Sequence, residues 1–370
     1  MKILFIGVFY YSWSLNIREA MAFKTIGHNI TCFDCRIRKK ITESNLINLY
    51  NLKERKVVQT QKKEGKLKSV IYNNFYKRLI KRISKINLPF FKKIKNLNKF
   101  YLFGYWKLNR QLINEVKNNN YDLIFFAKAE RINYKIIPKL NKYTKTWYFF
   151  MDPLINAYKL DAEKYASLCT WSSATFSSVN TFFKRAGANS YFITEGIDPN
   201  IFKPPKENGK KKIDVIFIGS KSDKRSRYVN FLRTNKINVV CYGTGWENSQ
   251  IFVNELVHKY HDSKIILNFT RGKIGFSNRV FMALATKTFL ISEFCVDLKK
   301  VLRKGVHLEW FRTPEELLNL INYYLKNKEI REKIAYQGYK FVLENFTLEK
   351  IMQKIIQIVV KNKGIKKGLS

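Results

Sequence analysis

The 370-residue sequence predicts an α/β protein of two facing, doubly wound domains, and three observations carry that prediction. Short apolar runs of strand length alternate with helical stretches in two consecutive blocks. A stretch rich in Pro, Gly and Lys, 196–212, separates the blocks and follows neither the helical nor the strand period. No apolar run reaches the ~18 residues of a membrane-spanning helix, and a hydrophobic fraction of 46% is that of a globular chain. The expected organisation is a first domain over 1–195 with a basic helical insert at about 41–117, the linker 196–212, a second domain over 213–345, and a C-terminal helix with a basic tail over 346–370.

The first block opens with Lys2–Phe9, apolar and suited to a buried parallel strand. A signal peptide would need small residues for cleavage next, and Tyr10-Tyr11-Ser12-Trp13 stands there instead. Ile17–Thr25 reads as a helix, and Gly27-His28-Asn29 turns the chain into a strand at Ile30–Phe33. A unit of this length is what a βαβ crossover needs. Further strands are expected at Tyr121–Phe126, Trp147–Phe150, Cys169–Ser172 and Ser190–Ile193, with a helix at Val179–Ala186 between the last two. In the second block, strands are expected at Asp214–Ile218, Val239–Tyr242, Lys264–Phe269 and Phe289–Ser292, and a helix at Arg227–Thr234. Thr313-Pro314-Glu315-Glu316 places Thr at an N-cap, Pro at N1 and Glu at N3. Thr347 caps a last helix running to about Val360.

The net charge is +41. Between Arg36 and Lys117 roughly 23 Lys and Arg stand against 4 Asp and Glu, with aromatics such as Tyr72, Phe75, Phe90 and Trp106 interleaved. One reading is an anionic membrane surface met by this insert; the other is a solvated basic face in a chain rich in Lys, Asn and Ile throughout. Nucleic acid is not expected as a partner, because no nucleic-acid-binding motif appears. The five cysteines, Cys32, Cys35, Cys169, Cys241 and Cys295, are odd in number and sparse, which fits reduced thiols in a cytoplasmic setting, peripheral to the inner membrane face at most. No His, Cys or carboxylate spacing suggests a metal site, and no cofactor is implied.

The most informative segment is Ile266–Ala285. An apolar strand leads into Thr270-Arg271-Gly272-Lys273-Ile274-Gly275-Phe276-Ser277-Asn278-Arg279 and then into Val280-Phe281-Met282-Ala283-Leu284-Ala285, a helix. Loop glycines, cations and a helix opening on Ser-Asn-Arg suit a phosphate or diphosphate. In doubly wound sheets ligands bind beyond the carboxyl ends of the strands. That rule nominates Tyr10 to Ser14, Lys128 to Arg131 and Asp152 from the first block, and Gly219 to Arg227, Gly243 to Trp246 and Arg271 to Arg279 from the second.

In this order the segments resemble a GT-B glycosyltransferase of the family 4 (group 1) type, most nearly its spore-maturation CgeB-like branch. Lys2–Gly7 with Gly27–Ile30 is similar to the opening of an acceptor domain. Glu195-Gly196-Ile197-Asp198-Pro199-Asn200-Ile201-Phe202-Lys203-Pro204 is similar to the inter-domain segment. Asp214–Ser220 with Arg227, Val240–Trp246, and Asn278–Ala285 are similar to donor-domain motifs.

The resemblance implies transfer of a sugar from a UDP- or GDP-type donor to a glycan, lipid-linked or protein acceptor, with retention and without metal. Arg227, Lys273 and Arg279 would hold the diphosphate, Gly219 and Ser220 would let it approach the backbone, and Gly243, Gly245, Trp246, Ser277 and Asn278 would complete the donor site. Asp152 and Glu130 are the catalytic candidates; Tyr10, Tyr11, Ser12 and Trp13 would meet the acceptor; the C-terminal helix would cross back onto the first domain. Two positions depart from the pattern. Met282 stands where a Glu would take the ribose hydroxyls, unless Glu309 or another group replaces it, and Lys287 stands where Gly is expected. Met282 keeps open a catalytically inactive sugar- or nucleotide-binding relative. The charge keeps open a basic nucleic-acid or membrane-surface protein on the same scaffold.

Overall fold

The computed structural model describes residues 1–9, 14–36, 39–51, 105–129, 131–206, 209, 211–270 and 272–364. The elements in chain order begin β1 (Lys2–Gly7), α1 (Leu15–Thr25), β2 (Asn29–Asp34), β3 (Lys39–Ile41), α2 (Glu43–Asn51), α3 (Tyr105–Lys117) and β4 (Leu123–Ala127). A 3-10 turn (Tyr134–Ile136) leads to α4 (Ile137–Leu140), β5 (Lys145–Phe150), α5 (Leu154–Lys159), α6 (Ala162–Leu168), β6 (Trp171–Ala174), α7 (Ser177–Arg185) and β7 (Ser190–Phe192). Beyond 196–212 come β8 (Ile213–Ile218), α8 (Asp223–Thr234), β9 (Val239–Tyr242), α9 (Val253–His261), β10 (Ser263–Asn268), α10 (Arg279–Ala285), β11 (Phe289–Glu293) and α11 (Val296–Val301). The chain closes with β12 (Glu309–Phe311), α12 (Pro314–Lys326), α13 (Lys328–Asn345) and α14 (Leu348–Gly364). Most of the expected 41–117 insert lies outside the described residues.

Two compact units result. Unit 1 comprises Met1–Phe150, Ile155–Ser173 and Phe182–Tyr191; unit 2 comprises Met151–Leu154, Ala174–Thr181 and Phe192–Ser370. The seven-stranded sheet runs β3-β2-β1-β4-β5-β6-β7, parallel from β2 to β5, with β3 antiparallel on its edge. The five-stranded sheet runs β12-β11-β10-β8-β9, all parallel. In each, the first strand lies between its second and third parallel partners, so the order reverses beside β1 and beside β8.

Both sheets are covered on two faces, which is why their strands read as apolar runs without alternation. In β8, Val215 and Phe217 pack into one buried cluster with Val229 and Leu232 of α8, while Ile216 and Ile218 pack into another with Val280 and Leu284 of α10. That is strand periodicity with a core on each side. In unit 1, Phe5, Phe23, Phe125 and Phe149 form a contiguous buried set, with Phe5 and Phe125 ring centroids 5.0 Å apart. The N-cap at Thr313 forms as expected: its hydroxyl accepts from the Glu316 amide at 3.2 Å, and Pro314 occupies N1. Thr347 likewise accepts from Lys350.

All five cysteines are buried free thiols. Burial pushes Cys169 and Cys241 up to about 12 and Cys295 up to about 11, so the thiolate that reacts or binds metal is suppressed. Among the described residues no helix is long and apolar enough to cross a membrane.

Candidate functional site

Unit 2 carries the site at the carboxyl ends of β8 and β10, where the strand order reverses and the following loops part. The chain leaves β8 through Gly219–Ser222 into α8 and leaves β10 through 269–278 into α10. Ser222 caps α8, its hydroxyl accepting from the Arg225 amide at 3.4 Å.

Arg279 is the first residue of α10, and its guanidinium reaches across to the end of β8, where Nη1 donates to the Ile218 carbonyl at 2.9 Å. A Cβ at Gly219 would come within 2.4 Å of that nitrogen, so glycine there is what admits the arginine. Nε lies 3.4 Å from the Ser277 hydroxyl, which accepts from it. α10 has only seven residues, so its dipole is small and the guanidinium supplies most of the positive charge. Asn278 does not cap α10 with its side chain; Nδ2 donates to the Gly196 carbonyl at 2.9 Å, tying the helix start to the 196–212 segment.

A second arginine, inside the nominated 219–227 segment but not singled out as a diphosphate ligand, bridges the same two strands. Arg225 is buried; its Nη1 donates to the Ser220 carbonyl at 2.6 Å and its Nη2 to the Phe269 carbonyl at 3.5 Å. Beside it Lys224 Nζ lies 2.6 Å from Glu293, and the same carboxylate accepts the Thr270 amide at 2.9 Å and its hydroxyl at 3.0 Å. Arg227, the expected ligand, stands exposed two residues further along α8, on the opposite side of the helix from buried Arg225. The expected helix start at Arg227 lies four residues late; Ser222 before Asp223 is a readable start signal that places Arg225 in the first turn.

The glycines after β9 shape the other wall. Gly243 has φ +132°, and a Cβ there would stand 2.6 Å from the Gly219 carbonyl oxygen. Only glycine meets both demands. Gly245 follows with φ +87° beside Lys221. Trp246 Nε1 donates to the Gly219 carbonyl at 2.9 Å, and Lys221 Nζ sits 5.3 Å over its ring. The structure thus brings Gly219, Ser220, Gly243, Trp246 and Arg279 into one neighbourhood.

Lys273 is exposed on the 272–278 loop, which is held through backbone bonds from Val296 to Lys273 and from Asp297 to Ile274. Met282 is half-buried and packs on the apolar cluster shared by α9 and α10. Glu309 is engaged elsewhere: it accepts the Tyr324 hydroxyl at 2.9 Å, lies 3.8 Å from Lys304, and is raised above the usual carboxylate range by burial. Asp152 follows β5 and is half-buried, in a segment grouped with unit 2. Tyr10, Tyr11, Ser12, Trp13, Glu130 and Arg271 lie outside the described residues. Chemically, Lys221, Lys224, Arg225 and Arg279 outnumber the carboxylates beside them, Asp223 and Glu293, a surplus of positive charge that suits a diphosphate.

Residues 224–357, less than half of the chain, match the family model described as glycosyl transferase-like. HepE of Anabaena, in its complex with UDP-glucose, is similar over 98% of this chain and 100% of its own, with TM-score 0.59 and 13% identity. Sucrose-phosphate synthase of Thermosynechococcus elongatus is similar over 99% and 100%, with TM-score 0.59 and 11% identity. The fold is GT-B. A glycosyltransferase of Rickettsia africae shares it over 97% of this chain and 98% of its own, with TM-score 0.58 and 14% identity. No curated protein matches the sequence.

Proposed function

We propose that this GT-B chain is a glycosyltransferase of the group 1 type that binds a nucleoside-diphosphate sugar at the β8/β10 crevice and passes the sugar to an acceptor held by unit 1. The observation that carries this is the pair of guanidiniums at one switch point, Arg279 on the end of β8 and Arg225 spanning β8 and β10. As the glycosidic bond breaks, negative charge grows on the leaving diphosphate, and preplaced cations favour that state over the ground state. Lys273 reaches the same anion from its loop. The match of 224–357 to a glycosyl transferase-like family supports the reading, as does UDP-glucose bound to the similarly folded HepE.

The finer assignment follows the motif order: the CgeB-like branch, a UDP- or GDP-type donor, retention without metal, Asp152 and Glu130 beside the reacting centre, and Tyr10 to Trp13 toward a glycan, lipid-linked or protein acceptor. A peripheral station at an anionic inner-membrane face is part of it. Met282 favours a second reading, a relative that binds the nucleotide without transfer, because a thioether packed on an apolar cluster offers no acceptor to ribose hydroxyls.

A thermal-shift panel of UDP, GDP, ADP, CDP and dTDP on wild type and Arg279→Ala tests the donor site. A ligand at ~100 times its Kd adds ~2.7 kcal/mol of stability. One nucleotide that stabilises wild type and not Arg279→Ala names the donor; silence from all five sinks the proposal. Release of free nucleotide from the matching sugar donor in the presence of acceptors separates the transferase from the non-catalytic relative.

A further inference from the structure

The 272–278 loop carries Lys273, and two distant stretches of unit 2 hold it. The amides of Val296 and Asp297, the first residues of α11, donate to the Lys273 and Ile274 carbonyls at 3.1 Å and 2.8 Å. From the 174–181 stretch, Phe176 lies against Gly275: a Cβ at Gly275 would overlap the Phe176 ring, so the ring needs glycine there.

The two holds meet at Asp297. Phe176 immediately precedes α7 and has no polar side chain to cap it, so the first amides of α7 need an acceptor from elsewhere. Asp297 supplies one across 120 residues of chain: its Oδ2 accepts the Ser177 amide at 2.9 Å. Its Oδ1 accepts from Lys300 Nζ at 3.1 Å, and the same Nζ donates to the Ser177 hydroxyl at 2.7 Å. Asp297 is fully buried, and a carboxylate removed from water in this way costs stability unless it is paired and hydrogen-bonded. One side chain thus fixes the start of α7, which seats Phe176 on Gly275, while its own amide grips the loop. A loop without helix or strand of its own gives up conformational freedom when it closes on an anion, and a loop already held gives up less.

We propose that Asp297 is a positioning residue for the donor crevice: it joins the start of α7 to the start of α11 and so holds the 272–278 loop in the form in which Lys273 meets the diphosphate. The proposal rests on the transferase reading. Asp297 acts through the backbone of Lys273 and Ile274 and through the seat of Phe176 on Gly275.

Two readouts test it: calorimetric titration of UDP, GDP, ADP, CDP and dTDP into the full chain, and hydrogen exchange of the Val296 amide in the unliganded protein. Lys273→Ala should weaken the diphosphate that wild type binds by ~10-fold, the worth of one charge-assisted hydrogen bond. Asp297→Ala should weaken it by a similar factor and speed exchange at Val296, whose acceptor is the Lys273 carbonyl. The double variant should bind no more weakly than Lys273→Ala alone, because an absent lysine cannot be misplaced. Asp297→Asn keeps an acceptor for the Ser177 amide and should recover most of the affinity. Gly275→Ala, which displaces the loop from Phe176 and leaves Asp297 in place, should show the same non-additive loss with Lys273→Ala, and serves where Asp297→Ala does not fold. Diphosphate binding by wild type with additive losses, or with full affinity in Asp297→Ala, overturns the positioning role and leaves the donor site standing. Silence of wild type toward all five overturns the donor site and the role with it.

Discussion

The two sheets reverse strand order in the same way, beside β1 in unit 1 and beside β8 in unit 2, yet they fill that place with opposite charge. In unit 1 the polar fill is acidic and accepts from the backbone. Asp34 takes the Phe9 amide at 2.6 Å, Asn16 takes the Val8 amide at 2.8 Å, and Glu19 accepts from Asn16 at 2.8 Å. In unit 2 the fill is basic and donates to carbonyls of Ile218, Ser220 and Phe269. Asp34 and Asn16 there consume amides that an anion would use, and the Asp34 carboxylate repels it; guanidiniums consume carbonyls and attract it. One topology therefore yields a clamp on the β1–α1 connection in one unit and a phosphate crevice in the other, and the difference lies in a few side chains.

The largest test of this contrast is Glu19. It is 1% exposed, and burial raises its pKa to about 7, partly opposed by the Asn16 hydrogen bond. With the folded value above the unfolded one, its contribution to stability is intact below about 4.5 and is lost as pH rises toward 7. Glu19→Gln keeps an acceptor for Asn16 and removes the titration. It should match wild type in urea unfolding at pH 4.5 and exceed it at pH 8 by of order 3 kcal/mol. Equal stability at both pH values would mean that unit 1 does not hold an uncharged acid at this place.

Next comes the basic side. Arg279→Ala should weaken binding of the preferred nucleoside diphosphate by ~10–100-fold, the worth of one or two charge-assisted hydrogen bonds, with little loss of fold stability. Arg225→Lys keeps the charge but cannot span the Ser220 and Phe269 carbonyls, and should show a smaller loss of affinity together with a lower Tm. If Arg227→Ala matched Arg279→Ala while Arg225→Lys bound normally, the roles drawn from the geometry would be reversed.

Much of this architecture was legible because parallel strands buried on both faces are apolar runs, and β1, β5, β8, β9 and β10 stand within two residues of expectation. The three-residue β12 is too short to carry a period. α13 was missed because a charged 18-residue helix buries Arg331 and Gly338 among its few inward positions, which mask the helical pattern. In the site, Arg279 and Gly219 were readable from loop composition. Arg225 lay within the nominated 219–227 segment but was not told apart from Arg227, since a buried arginine in a basic first turn looks like its exposed neighbour until the carbonyls it meets are placed.

The smallest expected effect concerns Lys287, where the resemblance expected Gly and the backbone agrees. α10 ends at Ala285, Thr286 is its C-cap, and Lys287 takes φ +57° while its amide donates to the Leu284 carbonyl at 3.0 Å. A side chain at such a position costs about 1 kcal/mol relative to glycine, offset in part by the entropy glycine loses on folding. Lys287→Gly should therefore raise stability by ~0.5–1 kcal/mol at moderate salt, and by more at low salt, where removing one cation from beside Lys211 and Arg331 counts most. Nucleoside-diphosphate affinity at the crevice should not change. A loss of stability would show instead that the contact of Lys287 with Tyr336 outweighs strain and repulsion together.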